Sequence, residues 1–163
     1  MGKQRKGNRL LMIDLVVGSD HRGYELKKAV HDYLVPIDKD IEKDITMFLD
    51  CGCYDGLKSV DYPDVVKSLA SEMESTFNRG ILICGSGFGV AIAANRYPHI
   101  RAVTVRTPKE AEMARLHNDA NVLCLGADFT STKDALKIID KFLTTKFEGG
   151  RHQKRIAKLT SML

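Results

Sequence analysis

The chain has 163 residues, of which 44% are hydrophobic and 28% charged, with a formal net charge of +4. That length suits one domain able to bury roughly 70% of its unfolded surface without disulfides or a structural metal. Lys3, Arg5, Lys6 and Arg9 account for the whole charge excess before the first acid, Asp14, so the remaining chain is balanced and lacks the basic field of a nucleic-acid binder.

Residues 1–11, MGKQRKGNRLL, read as a flexible basic leader ahead of a single domain over 12–163. The apolar stretch that follows is cut by Asp14, which disqualifies it as a secretory signal, and Lys6 stands where a myristoylation motif needs Ser or Thr. No apolar run approaches a bilayer's span. These features predict a soluble cytoplasmic protein with neither nucleic acid nor membrane as a partner.

The first strand is read at 12–18 (MIDLVVG), leading through Gly18-Ser19-Asp20-His21-Arg22-Gly23 into a helix over 22–35. A second strand at 45–50 (ITMFLD) precedes Cys51-Gly52-Cys53. With no other Cys or His pair at zinc spacing, these thiols read as small residues at a strand end rather than half a metal site. Pro63 suits the first turn of a helix over 63–77, and Pro108 that of a helix over 108–118. Between those helices lie a strand at 80–84 (GILIC), a helix over 88–96 and a strand at 100–105 (IRAVTV). The last strand, 121–126 (NVLCLG), holds Cys124 as a buried small hydrophobe, and helices over 132–145 and 151–162 complete the chain.

Such alternation predicts an α/β fold: a doubly wound five-stranded parallel sheet in a flavodoxin/Rossmann-like three-layer sandwich, with a C-terminal helix. In the flavodoxin-like order 2-1-3-4-5, ligands bind where the winding reverses, between the first and third strands. The Asp20-His21 loop and the stretch Cys84-Gly85-Ser86-Gly87-Phe88-Gly89 both open onto that crevice.

The glycine stretch fits neither a dinucleotide fingerprint, since Val90 stands where the third glycine belongs, nor a Walker loop, since no Gly-Lys-Ser/Thr occurs. Alone it is equally a tight structural turn. Cys84 at the strand end changes the weighting, because a helix N-terminus stabilises the reactive thiolate form; an inert packed thiol is the alternative. Asp20 and His21 are either a turn pair capping the first helix or ligand groups at the switch point. His117 and Asn118, read alone, are helix-terminal caps. Arg151 and Arg155 share a helix face and can grip a phosphate, or form a solvated basic face.

Taken in order, GSDHRGYELK, VDYPD, ILICGSGFGVAIAANR, IRAV, RLHNDANVL and FEGGRHQKRI resemble a type B ribose-5-phosphate isomerase, a resemblance running from Met12 to the end. It implies interconversion of ribose 5-phosphate and ribulose 5-phosphate by a homodimer or dimer of dimers, without metal or organic cofactor. By the same resemblance Cys84 is the base moving a proton between C1 and C2. The amides of Gly85, Ser86, Gly87, Phe88 and Gly89 form the anion hole, with Ser86 where the family often has threonine. His117 opens the furanose ring with help from Asp20, Asn118 contacts the sugar and Tyr62 lines the site. His21, Arg151 and Arg155 hold the phosphate.

One position departs from the family pattern: Asp128 stands where an arginine commonly helps to bind phosphate. A carboxylate 4 Å from a negative charge costs about 1 kcal/mol even in a water-like dielectric. Asp128 is therefore expected to turn away, or phosphate binding to lean harder on Arg151 and Arg155. Two alternatives remain: an isomerase of allose- or galactose-type hexose 6-phosphates, and a catalytically silent sugar-phosphate sensor.

Topology adds an expectation of its own. Cys84 ends a strand, whereas His117 ends the helix returning to the start of the fifth strand. A strand of about five residues spans roughly 17 Å. If both residues act on one substrate, the site is shared between two subunits.

Overall fold

The computed structural model describes residues 13–35 and 45–162; the leader expected over 1–11 lies outside them. Five strands, β1 (Ile13–Ser19), β2 (Ile45–Asp50), β3 (Arg79–Cys84), β4 (Ala102–Thr104) and β5 (Val122–Gly126), form one wholly parallel sheet. Six helices accompany them: α1 (Tyr24–Leu34), α2 (Tyr62–Ser75), α3 (Phe88–Ala94), α4 (Pro108–Asn118), α5 (Thr132–Thr144) and α6 (Arg151–Thr160).

The strand order is β2-β1-β3-β5-β4, which corrects the expected 2-1-3-4-5: the fifth strand inserts between the third and the fourth. Burial explains the exchange. VLCLG is fully buried along β5 and reads as the continuous apolar run of a strand covered on both faces, whereas β4 supplies three residues, two of them only half-buried, and takes the edge. Right-handed crossovers then fix the layers. The steps β1→β2 and β4→β5 run in the same direction across the sheet, so α1 and α4 share one face with α5. Their Val30, Ala111, Ile138 and Phe142 pack on Leu15, Ile81, Ile83 and Leu125. Helices α2 and α3 cover the other face, where Leu69 and Val90 meet Val16, Leu82 and Cys84.

Local sequence sets the helix starts. Thr107 and Glu110 form a reciprocal capping box around Pro108, and the N–H of Arg106 first, then that of Thr107, donate to the Glu110 carboxylate and hold it below its usual range. Pro63 lies in the first turn of α2, where the missing N–H is harmless.

Lys27, on α1, is 3% exposed and donates to both carboxylate oxygens of Asp50 (2.6 and 2.7 Å) and to the carbonyls of Gly52 and Cys53. This ammonium gathers the chain leaving β2. Lys27→Ala is expected to cost about 3 kcal/mol in urea unfolding, at the low end for a broken buried pair because Asp50 keeps partial access to water. A loss below about 1 kcal/mol would assign the ammonium no structural role. Beside it, burial pushes the Cys51 thiol up to about 12, and Cys53 is buried.

Candidate active site

The carboxyl ends of β1, β3 and β5 converge because Cys84 is paired with Gly126, and Ser19 with Ile83. Two further backbone bonds, Ala127 N–H to the Cys84 carbonyl and Asp128 N–H to the Gly85 carbonyl (both 2.9 Å), stitch the loop after β5 onto the glycine stretch. A Cβ on Gly126 would run into the backbone of Ser86, so only glycine permits this approach.

Cys84 is 4% exposed, and its Sγ accepts the Gly87 N–H at 3.1 Å. Gly87 takes φ +79° as it caps α3, a conformation natural to glycine. Thr104 Oγ1 donates to the Gly87 carbonyl at 2.8 Å and holds the turn from β4. Ser86 Oγ accepts the Phe88 N–H at 3.2 Å. Tyr62, the first residue of α2, lays its ring against Gly89, where an added Cβ would come within 2.8 Å of it. Phe88 is exposed at the rim.

From the β1–α1 loop, Asp20 is buried and accepts the Gly23 N–H at 3.0 Å, while its own N–H reaches the Ile83 carbonyl at 3.2 Å. His21 Nδ1 lies 3.3 Å from the Val60 nitrogen and 3.4 Å from the Val60 carbonyl oxygen, so either tautomer finds a partner in the Val60 backbone. Asp20 thus makes the turn bond of the structural reading while standing beside the end of β3.

Asp128 does not turn away. It accepts from Arg22 Nη2 at 2.6 Å across the mouth of the crevice, and the Arg22 side chain lies against Gly85. The Asp128 hydrogen bond and charge raise the Arg22 guanidinium above its ordinary value, with smaller contributions from Asp20 and Cys84. Sequence reasoning missed Arg22, whose partner lies 106 residues away.

The remaining residues gather elsewhere. His117 sits in the last turn of α4, which leads into the amino end of β5, while Cys84 stands opposite the other end of that strand. The His117 ring stacks on His152, with centroids 4.3 Å apart and planes within 9°. Both Nε2 atoms face Glu148 Oε2, at 3.7 Å for His117 and 3.8 Å for His152. His152 is 4% exposed and its Nε2 has no hydrogen-bond partner, so burial first, and then the neighbouring His117 ring, push it below its ordinary value. Arg151 and Arg155 flank it exposed on α6, and Asn118 is exposed beside His117. Glu148 and His152 lie inside the motif FEGGRH; the spacing of the two arginines drew attention away from the histidine between them.

The three donor atoms of His117, Glu148 and His152 lie within 4.8 Å of one another. Parallel rings direct their in-plane lone pairs alongside each other. An ion about 2.1 Å from one Nε2 along its lone pair cannot lie in the plane of the other. The arrangement suits a carboxylate shared by two imidazoles better than one ion held by both.

Each chain therefore presents two polar clusters at opposite ends of β5. One holds Asp20, His21, Tyr62, Cys84 and the glycine amides; the other holds His117, Asn118, Arg151 and Arg155.

Residues 15–159 match the family described as Ribose/Galactose Isomerase. A putative sugar phosphate isomerase of Rickettsia bellii is 46% identical over 147 residues, covering 90% of this chain and 96% of that protein. A probable ribose-5-phosphate isomerase B of Mycoplasma pneumoniae is 42% identical over 146 residues, covering 89% and 91%. The crystal structure of ribose-5-phosphate isomerase B from Mycoplasma genitalium with bound ribulose-5-phosphate superposes with a TM-score of 0.82 at 38% identity, covering 91% of this chain and 95% of that one. Among the described residues, no helix is long and apolar enough to cross a membrane.

Proposed function

Because this chain belongs to the ribose/galactose isomerase family, we propose that it interconverts ribose 5-phosphate and ribulose 5-phosphate through an enediolate. The observation that carries the reading is the meeting of Cys84, the glycine amides and the Asp20-His21 loop at the β1/β3 switch point. In the aldose-to-ketose direction the Cys84 thiolate takes the proton from C2, the C2–H electrons form the C1–C2 double bond, and the C1 carbonyl oxygen becomes the enediolate oxygen. The amides of Gly85 to Gly89 supply N–H donors where that charge develops. The electrons of the C1–C2 double bond then take the proton back from Cys84 at C1, while the hydroxyl proton on O2 passes to O1 and the C2–O bond becomes the ketone carbonyl, so one base serves both carbon-proton transfers.

His117 opens the furanose ring, with Asp20 assisting, and Asn118 contacts the sugar. For both to reach a sugar at Cys84 they come from a second subunit, which makes the working unit a homodimer, alone or paired into a dimer of dimers, with two composite sites. Four free cysteines, three of them buried, suit a cytoplasmic location.

Arg151 and Arg155 hold the phosphate with His21. Arg151→Ala and Arg155→Ala are each expected to raise KM by about tenfold or more while kcat changes little, since an anchor remote from the reacting carbons contributes to ground and transition states alike. A fall in kcat at unchanged KM would move them to the chemical step. A coupled assay offering five- and six-carbon aldose phosphates to the purified protein tests the reading as a whole. Preference for ribose 5-phosphate supports it, preference for an allose- or galactose-type phosphate reassigns the substrate, and turnover of neither leaves the sensor.

A further inference from the structure

We propose that Arg22, steadied over Gly85 by Asp128, is a substrate anchor that receives the phosphate at the mouth of the crevice; this rests on the isomerase reading. The guanidinium reaches the site from the β1–α1 loop, immediately after His21. Its Nε stands 2.7 Å and its Cδ 3.2 Å from where a Cβ on Gly85 would lie, next to the residue that follows Cys84 in the chain. Only one hydrogen bond ties it to Asp128, Nη2 to Oδ2 at 2.6 Å, so the remaining N–H donors of the fork are available to an anion.

The pair is too exposed to be explained by fold stability. The Arg22 and Asp128 side chains are 58% and 44% exposed, and an ion pair at that exposure is worth little. What it does provide is orientation. The Asp128 backbone is fixed by its bond to the Gly85 carbonyl, so its carboxylate gives a long flexible cation a defined place on the rim. Asp20 and Cys84 also act on the Arg22 charge, so the guanidinium lies in the electrostatic field of both candidate reacting groups. Asp128, which would otherwise repel a phosphate, is turned into the support of the cation that attracts one. The crevice thereby carries its own anion anchor on the Cys84 side, in addition to Arg151 and Arg155 on the other cluster.

The test uses the full chain with Cys84→Ala as background, so that ligands bind without turnover. Calorimetric titration of ribose 5-phosphate and of inorganic phosphate is compared with and without Arg22→Gln, with thermal melting as the fold control. Arg22→Gln should weaken both ligands by about 10- to 100-fold, the worth of a charge-assisted hydrogen bond. The melting temperature should hold. Arg22→Asp should remove phosphate binding, and adding Asp128→Arg to it should bring most of it back, because the pair is rebuilt with the guanidinium on the opposite loop. Unchanged affinities in Arg22→Gln, or a swapped pair as weak as Arg22→Asp alone, would overturn the anchor while leaving the isomerase reading in place. Should the otherwise native protein turn over no sugar phosphate while Arg22→Gln still weakens inorganic phosphate, the isomerase reading falls and the anion site stands.

Discussion

Cys84→Ala is expected to lower kcat by at least about 10²-fold, the usual cost of losing a positioned base, and to leave ribose 5-phosphate binding intact. The geometry explains why the loss should be confined to chemistry. Cys84 is nearly fully buried beneath the glycine turn, so its sulfur contributes little to the surface a sugar touches. The one described hydrogen bond to its sulfur comes from the Gly87 N–H, a backbone donor that Cys84→Ala leaves in place. The turn itself is held independently by Thr104 and by the φ of Gly87, so removing one sulfur leaves it standing. Steady-state kinetics and a direct binding titration on the same preparation give both numbers. Turnover within a few-fold of wild type would remove Cys84 from the mechanism.

Mixing two inactive proteins should restore activity. Cys84→Ala and His117→Ala, unfolded together and refolded, are expected to regain about a quarter of wild-type turnover: random pairing makes half the dimers mixed, and each mixed dimer holds one intact composite site. The ground for this is the placement of His117 before the amino end of β5 and of Cys84 opposite Gly126 at its other end, roughly 17 Å apart for a strand of this length. Neither parent can make an intact site with itself. A refolded mixture as inactive as its parents, with mixed dimers demonstrated by mass spectrometry, would mean that no site is shared.

Much of this framework is legible in the residues because it is written locally. Apolar runs alternating with amphipathic stretches, and prolines in first turns, place all eleven elements within a few residues of their observed bounds. The cysteine and glycine stretch is recognisable for the same reason, since strand, turn and helix follow one another without interruption. Strand order is not local. The neighbour of β3 is decided by which later strand can be covered on both faces, and VLCLG outcompetes AVT only when the two are compared. Arg22 escaped notice on similar grounds: a lone exposed cation acquires meaning only when a carboxylate far along the chain is folded against it.

The insertion of β5 between β3 and β4 also bears on the order in which the chain can be assembled during synthesis. Until Val122–Gly126 has been made, β3 has only β1 to pair with, and its second edge, lined by Gly80 to Cys84, offers unsatisfied amides and carbonyls to any passing strand. β4 cannot cover that edge, because its described partner is β5. A nascent chain halted after α4 is therefore a half-sheet with an open apolar rim, the kind of species that aggregates or recruits a chaperone. Chains ending at 118 and at 130, each held on the ribosome through a flexible linker long enough to clear the exit tunnel, should differ sharply in protease resistance, the longer one gaining protection across β3.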